Sequence, residues 1–458
     1  MRITNLNPDT GIGASSWFAK MDGFGLLMDA GTHPELEGRE GLPLYSRIQG
    51  ERVDVIALSH CHHDHVGSLP IALRHFRQAQ VVMSEGSYYI LERVLHNSVN
   101  VMARQRQELG IAEYPLYSHE EVERICGRFN GCKYRRPIPW ASLGKGKENR
   151  HWPALEFYDA GHVMGSAGLW VSNGAESLFY TGDVCFHPQT LQGAAEFGDV
   201  KADILIMETT RGDRPAPPGV TRQTELRRLG QALEGALREG RSVLIPSFAL
   251  GRTQEILAHL ALMMGQGAIA RRPIYISGLG RVFTEIYDQK AHLAPRQHPD
   301  LQLTQRLELI VLEREQLAEM KLGGGQIFVL TAGMMTENSA SHDLALRIMG
   351  QARHAIYFVG YADPDTPGGR LKSSKEGEPF FFSNAAPDAV RRCEMEDFDL
   401  TAHANREALV DFVGSVSPRV VLLGHGGAAS RHWVEEQIRS QHPNIRVIQP
   451  HPGMSFEV

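Results

Sequence analysis

Short apolar runs recur along the first part of the chain, and each ends in polar residues near a glycine. Runs of this length, bounded by turn residues, predict buried strands. They occupy residues 26–28, 53–58, 155–158, 178–180 and 202–207. The polar residues that follow them include Asp29, His60, His162, Asp183 and Glu208. Because glycine leaves the backbone free to turn, we expect these polar side chains to lie at sheet edges.

A second pattern begins after a segment rich in proline and glycine at residues 215–219. Helical periodicity predicts helices at 221–239, 253–264 and 340–349, and apolar runs predict strands at 242–245, 273–276, 326–330 and 355–359. Such alternation with short connections predicts a parallel sheet with helices on both faces. A further strand at 420–423 is expected to return to the first domain. The predicted fold class is α/β, with one domain formed by residues 1–208 and 396–458 and a second by 209–395.

Composition narrows the class of protein. The 458 residues exceed one ordinary domain, and 42% apolar with 22% charged residues is typical of a globular chain. No apolar run approaches the roughly 18 residues that span a membrane, and no signal peptide is recognisable. Five scattered cysteines indicate reduced thiols. We therefore expect a cytoplasmic enzyme with no membrane partner. The net charge of −6 argues against a uniformly basic nucleic-acid surface, but not against a metal-dependent nuclease.

The segment 59–65 contains a dense cluster of candidate metal-binding residues. Four metal-capable residues fall within six positions after the predicted strand: His60, His62, Asp64 and His65. A helix is expected from about Gly67. Imidazole and carboxylate together suit zinc, and two zinc ions roughly 3.5–4 Å apart can hold a bridging hydroxide and substrate oxygens. The alternative is a histidine-rich surface loop that binds metal by accident. The strand context favours a metal site.

This constellation resembles the metallo-β-lactamase superfamily, in which strand ends carry the remaining ligands. The resemblance implies two zinc ions per chain. By this resemblance, His60, His62 and His162 bind one zinc, Asp64 and His65 bind the other, and Asp183 bridges them. Asp29 is expected to hold a ligand or the motif loop by hydrogen bonds. Cys61 occupies the variable position between two ligands, so its side chain should point away from the metal.

The later part of the chain resembles the β-CASP group of that superfamily. The phrases PSFALGRTQE, TAGMM and TAHAN are similar to β-CASP sequence, and Glu208, His403 and His425 match its three additional motifs. The resemblance implies a metallo-β-lactamase αββα sandwich with an inserted β-CASP domain of parallel strands and helices. It also implies a zinc-dependent ribonuclease that hydrolyses RNA phosphodiester bonds with a two-metal-activated hydroxide.

Roles for the additional motif residues follow from the same resemblance. His425 would complete the second zinc site, while His403 would protonate the leaving oxygen and Glu208 would orient His403. The DNA-processing branch generally lacks a histidine at the position of His425, so RNA is favoured, preferably single-stranded. Asn405 stands where the group usually has aspartate, but asparagine can also cap the following helix.

Substrate contacts from the second domain are predicted at Ser247 and Arg252. Arg252 follows a strand and Gly251 at a helix start, where backbone N–H groups and a cation can hold phosphate. A structural arginine within the fold is the alternative. Rival functions also stay open: a DNA nuclease or other phosphoester hydrolase, or an inactive scaffold of a processing complex. The sequence leaves undecided whether the chain forms a homo-oligomer and whether it cleaves internally or from an end.

Overall fold

The computed structural model describes residues 1–143 and 152–458 and divides the chain into two units. Unit 1 comprises Met1–Pro188, Ala194–Ala216 and His403–Val458. Unit 2 comprises Gln189–Gly193 and Pro217–Ala402. The boundaries predicted at 208/209 and 395/396 lie slightly before these divisions, and the second falls inside a strand of unit 2 (Glu394–Asp397).

The described residues of unit 1 form two mixed sheets. The first is built from Arg2–Asn5 (β1), Trp17–Met21 (β2), Phe24–Met28 (β3), Val55–Leu58 (β4), Gln80–Ser84 (β5), Phe129–Cys132 (β6) and Ser455–Glu457 (β21), in the order β21-β1-β2-β3-β4-β5-β6. The second is built from Ala154–Asp159 (β7), Ala167–Ser172 (β8), Ser177–Tyr180 (β9), Ile204–Glu208 (β10), Val420–Gly424 (β19) and Arg446–Ile448 (β20), in the order β20-β19-β10-β9-β8-β7.

Parallel pairing brings the functional strand ends of unit 1 to common edges. In the first sheet β3, β4, β5 and β6 run parallel, with Met28 opposite Ala57. In the second sheet β9, β10, β19 and β20 run parallel, with Glu208 opposite Gly424. The carboxyl ends of parallel strands meet at one edge of a sheet. Residues that follow β3 and β4, or β9, β10 and β19, are therefore neighbours in space.

An apolar core fills the space between the two sheets. Alternate side chains of one sheet, such as Leu26 and Val55, pack in one cluster with Leu169 and Ile204 of the other. Burying each such aliphatic side chain contributes roughly 1.5–3 kcal/mol. Helices of unit 1 are His63–Val66 (α1), Leu69–His75 (α2), Glu85–Leu109 (α3), His119–Cys126 (α4), Arg406–Val416 (α12) and Ala428–Gln441 (α13). Helix α3 packs on β5 and β6, and α12 and α13 pack on the second sheet. This is the expected αββα arrangement.

Unit 2 is an α/β domain with a parallel sheet. Its strands are Ser242–Pro246 (β11), Ile274–Ile276 (β12), Leu309–Val311 (β13), Ile327–Leu330 (β14), His354–Phe358 (β15) and Glu394–Asp397 (β18), in the order β13-β12-β14-β11-β15-β18, with a separate hairpin of Pro379–Phe380 (β16) and Ala389–Val390 (β17). Its helices are Arg222–Arg238 (α5), Arg252–Gly265 (α6), Gly278–Gln289 (α7), Leu303–Arg306 (α8), Arg314–Glu319 (α9), Ala340–Ile348 (α10) and Pro367–Ser373 (α11). The prediction of a parallel sheet with helices is confirmed.

Some elements differ from the sequence prediction. The helix expected from about Gly67 begins earlier, at His63, and a second helix follows at Leu69. The sequence pattern also gave no indication of β18, since its residues Glu394, Met395, Glu396 and Asp397 lack an apolar run. Where the chain is described, none of its helices has both the length and the apolar character needed to cross a bilayer.

Candidate metal centre

The backbone changes conformation within the motif 59–65, so the side chains of this motif point in two directions. His62 is still extended (φ −71°, ψ 151°), and helix α1 begins at His63. The backbone N–H of His65 then donates to the His62 carbonyl at 3.0 Å. Side chains alternate along an extended segment but rotate by about 100° per residue in a helix. His60 and His62 therefore join one group of donors, while Asp64 and His65 join another.

The first group gathers three imidazoles and one carboxylate oxygen. Its members are His60, His62, His162 and Asp183. The Nδ1 atom of His62 lies 3.0 Å from His60 Nε2 and 3.2 Å from His162 Nε2. Asp183 Oδ2 lies 3.6 Å from His60 Nε2 and 3.7 Å from His162 Nε2. Ring nitrogens that converge in this way, with a carboxylate beside them, form a donor set typical of a divalent metal.

The second group adds a histidine from the end of β19. Asp64 Oδ2 lies 3.0 Å from His425 Nε2, which lies 3.3 Å from His65 Nε2. Asp64 and His425 are 361 positions apart in the chain. His425 adopts a positive φ of 46°, which is uncommon for a residue with a side chain. The strand end therefore turns sharply, and the imidazole completes the group.

Asp183 belongs to both groups through its two oxygens. Its Oδ2 faces the first group, whereas its Oδ1 lies 3.4 Å from His65 Nε2 and 3.2 Å from His425 Nδ1. In the described part of the chain, this buried Oδ1 has no hydrogen-bond partner. A buried carboxylate oxygen without a hydrogen bond is unfavourable, and a cation at the second group would satisfy it. The residues present therefore fit bound divalent metal.

Asp29 connects the strand ends behind the second group. This fully buried carboxylate accepts hydrogen bonds from the backbone N–H and hydroxyl of Ser59, both at 2.7 Å. It also accepts from His65 Nδ1 at 2.7 Å and from the Tyr180 hydroxyl at 2.6 Å. Binding the His65 Nδ1 proton fixes the tautomer, so that the Nε2 lone pair faces Asp64, Asp183 and His425.

His403 and Glu208 form a pair beside the first group. The Nδ1 atom of His403 lies 3.2 and 3.1 Å from the two carboxylate oxygens of Glu208. Glu208 is itself held, because it accepts from the backbone N–H of Val184 at 2.6 Å. The His403 ring lies 4.6 Å from that of His162 between centroids. Asp183, Glu208 and His403 also form a third group of nearby donor atoms.

Burial and neighbouring charges together shift the pKa values of these histidines. Burial, with repulsion from His65, lowers the pKa of His60 well below its usual value. Burial also acts to lower the pKa of His403, but the charge and hydrogen bond of Glu208 outweigh it and raise that pKa. The pKa of His65 is likewise raised against burial by its carboxylate neighbours, Asp183 first. Since protons and metal compete for the same nitrogens, acid should weaken metal binding.

Other candidate residues from the sequence are not members of these groups. The Cys61 thiol donates to the Ser87 carbonyl at 3.4 Å, so it points away from the histidines as predicted. The five cysteines, all in the described part of the chain, form no disulfide bond. In unit 2, the Arg252 guanidinium is buried and donates to the Leu400 carbonyl and to Gln189 Oε1. These contacts favour the structural alternative for Arg252. Ser247 is also buried, and substrate binding by either residue stays a prediction.

Two residues that support the donors were missed by sequence reasoning. Tyr180 ends strand β9, and its hydroxyl reaches Asp29. The Thr210 hydroxyl lies 3.1 Å from His425 Nδ1, and Thr210 follows β10 just after Glu208. Both are polar residues at or next to a strand end, the same signal that identified the ligands. The sequence alone, however, did not show which partners they would meet.

Comparisons with known proteins agree with this architecture. A model of the metallo-β-lactamase superfamily matches residues 9–223, and a model of the Beta-Casp domain matches residues 253–371. A solved structure of a protein of unknown function from Enterococcus faecalis V583 has a TM-score of 0.59, with 13% identity and 99% of each chain covered. That likeness shows the fold alone.

Similar curated proteins include fungal endoribonucleases. Endoribonuclease YSH1 of Eremothecium gossypii is 26% identical over 439 residues, covering 93% of this chain and 55% of the relative. The YSH1 protein of Saccharomyces cerevisiae is 24% identical, covering 93% and 54%, and that of Schizosaccharomyces pombe is 24% identical, covering 98% and 57%. The chain thus spans little more than half the length of these relatives. The chain therefore contains a domain of the metallo-β-lactamase superfamily at residues 9–223 and a Beta-Casp domain at residues 253–371.

Proposed function

We propose that this protein is a zinc-dependent ribonuclease that hydrolyses phosphodiester bonds of RNA with two bound zinc ions. The observation that carries the proposal is Asp183, whose two oxygens face two separate groups of imidazole donors. Similarity to proteins named endoribonuclease supports RNA as the substrate. The cytoplasmic location and a homo-oligomeric state stay predictions.

The ligand roles follow from the two groups. The first zinc would be held by His60, His62 and His162, and the second by Asp64, His65 and His425, with Asp183 shared. Two divalent cations supply Lewis acidity and a nucleophile at neutral pH. Asp29 keeps the His65 ring in the orientation that a ligand needs.

Proton transfer is assigned to His403. Glu208 orients its ring through Nδ1 and favours the charged imidazolium. A proton on Nε2 can then pass to the oxygen that leaves phosphorus, which is general acid catalysis. A hydrolase without a charged leaving oxygen has less need of this pair. Its presence beside the first donor group therefore supports a phosphodiester substrate.

Metal analysis and RNA cleavage test the proposal together. Purified protein should contain close to two equivalents of zinc, and RNA labelled at its 5′ or 3′ end should be cleaved only without chelator. The lengths of the products give the cleavage mode. Asp183→Asn should abolish cleavage. Asp22→Asn is the matched control, since Asp22 lies in a turn with φ 44° and accepts a hydrogen bond from the side chain of Asn173.

Each rival function has its own outcome. A single tightly bound ion at saturating zinc would contradict the two-zinc site. Faster cleavage of DNA than of RNA of the same sequence would favour a DNA nuclease. Two bound zinc ions without hydrolysis of either nucleic acid would favour the inactive scaffold. A single-stranded RNA should be cleaved faster than a hairpin stem of the same sequence.

A further inference from the structure

Two adjacent tyrosines on the first turns of helix α3 are partly exposed to solvent. The side chains of Tyr88 and Tyr89 are 41% and 42% exposed. Their rings lie 5.3 Å apart between centroids and stand perpendicular, at 90°. Two neighbouring rings that present this much area to solvent form a surface suited to a flat ligand. We call this surface the tyrosine pair.

The start of α3 packs directly against both loops that present metal ligands. The Cys61 thiol, between two ligand histidines, donates to the Ser87 carbonyl at 3.4 Å. The hydroxyls of Ser84 and Ser87 donate to the Gly165 carbonyl at 2.5 and 2.9 Å, three positions after His162. Ser87 therefore contacts both loops, and the tyrosine pair follows it directly in the same helix.

Close packing also fixes the position of this helix start. A Cβ atom at Gly86 would lie 2.7 Å from the Gly165 Cα, so the helix backbone approaches the ligand loop without a side chain between them. The base of the Tyr88 side chain packs against strand β6. A Cβ atom added at Gly131 of that strand would lie 3.3 Å from the Cβ atom of Tyr88. Helical side chains tilt toward the amino terminus of their helix. The Cα–Cβ bonds of both tyrosines are therefore directed toward the end of α3 that contacts the ligand loops.

We propose that the tyrosine pair stacks on an unpaired nucleobase of the substrate, next to the phosphodiester that is cleaved. The inference rests on the proposed ribonuclease function and adds a base-binding position to it. Every base has a flat face, so stacking on tyrosine holds single strands with little preference for sequence. It also explains why two large rings stay exposed at this end of the helix. A base-paired strand offers no such face.

Two substrates separate binding of a base from the chemistry at the metal centre. The first is a single-stranded RNA oligomer, and the second is bis(p-nitrophenyl) phosphate, a phosphodiester without a base. Replacing both Tyr88 and Tyr89 by alanine should lower kcat/KM for RNA roughly 5- to 150-fold, as expected for loss of one stacked base. Zinc content and hydrolysis of bis(p-nitrophenyl) phosphate should stay as in the wild type.

Matched variants show whether the ring itself matters. Replacing both tyrosines by phenylalanine should keep RNA kcat/KM within about twofold, since stacking needs only the ring face. Leu109→Ala removes another exposed apolar side chain, 56% exposed, from the far end of the same helix and should change nothing. An oligomer series with one base removed at each position should show one sensitive position for the wild type, which the double alanine variant loses.

The outcomes are distinguishable from failure of the proposed function. Wild-type protein that cleaves no RNA with zinc present contradicts the ribonuclease proposal before any tyrosine variant is compared. If the wild type cleaves RNA and the double alanine variant matches it, the tyrosine pair binds no base. Equal loss on RNA and on bis(p-nitrophenyl) phosphate, or equal loss in the phenylalanine and alanine variants, also overturns the inference.

Discussion

Replacing Asp29 by asparagine should selectively weaken metal binding at the proposed second zinc site. The change keeps the size of the side chain but removes the charge that holds His65 Nδ1. One carboxylate oxygen of Asp29 accepts from Ser59 N–H, and the other accepts from Ser59 Oγ, Tyr180 and His65. Asparagine can place its single oxygen at only one of these positions. Its amide N–H₂ must therefore face at least one of the buried donors.

The contacts set the expected size of the effect. With the asparagine oxygen toward the three side-chain donors, the Ser59 backbone N–H is left unsatisfied, which costs roughly 1–3 kcal/mol of folding stability. Loss of a hydrogen-bonding group behind a metal ligand typically lowers metal affinity about 10- to 100-fold, or about 1.4–2.7 kcal/mol. The proposed first zinc site should keep its affinity, because the hydrogen bonds of the Asp29 carboxylate go to Ser59, His65 and Tyr180.

Stepwise titration against a fluorescent zinc chelator measures the two affinities, and thermal unfolding with and without zinc measures stability. Tyr180→Phe is the graded control, because it removes one donor and leaves the carboxylate in place. We expect it to lose about 1 kcal/mol of stability, with little change in zinc affinity. A folded Asp29→Asn variant that binds both zinc ions as tightly as the wild type would refute this reasoning.

Further predictions concern protons and a helix cap. His403→Asn should lower RNA turnover roughly 10²- to 10⁴-fold with zinc content unchanged. Glu208→Gln should lower the pKa of His403, so the alkaline fall of kcat, where the general acid loses its proton, should move to lower pH. Burial lowers the pKa of His259 to about 4, so its unfolded form takes up the proton first as pH falls. Stability should then fall by about 2 kcal/mol between pH 7 and 5, and urea unfolding of His259→Gln should show a smaller fall. Asn405→Ala should reduce the unfolding free energy by about 1 kcal/mol, because the Asn405 side chain accepts from Ala408 N–H at the helix start, whereas Asn405→Asp should not.

Several features of the protein were accessible from local sequence. The motif 59–65 identified four donor residues because their spacing after an apolar run is itself local information. In unit 2, apolar periodicity predicted strands β11, β12, β14 and β15 and helices α5, α6 and α10, the last to within a residue. Asn405 was expected to cap its helix and does so. Each of these outcomes depends on residues close together in the chain.

Other features depended on contacts between distant segments. The long helix α3 and the tyrosine pair were missed, since nothing near Tyr88 in sequence shows that the Ser87 hydroxyl reaches the Gly165 carbonyl. Arg252 follows a strand and a glycine, as a phosphate-binding residue would. Its guanidinium, however, donates hydrogen bonds to the Leu400 carbonyl and the Gln189 side chain within unit 2.

The sequence by itself determined which side chains in this protein are able to bind metal and which strands carry them. Only the tertiary structure decided how those side chains are distributed between separate groups of metal donors. Pairing of β10 with β9 and β19 brings Glu208, Asp183 and His425 to one edge, and the two oxygens of Asp183 then face different groups of histidines. The physical reason is that strand register and side-chain direction are set by packing between residues up to hundreds of positions apart, which local patterns do not encode.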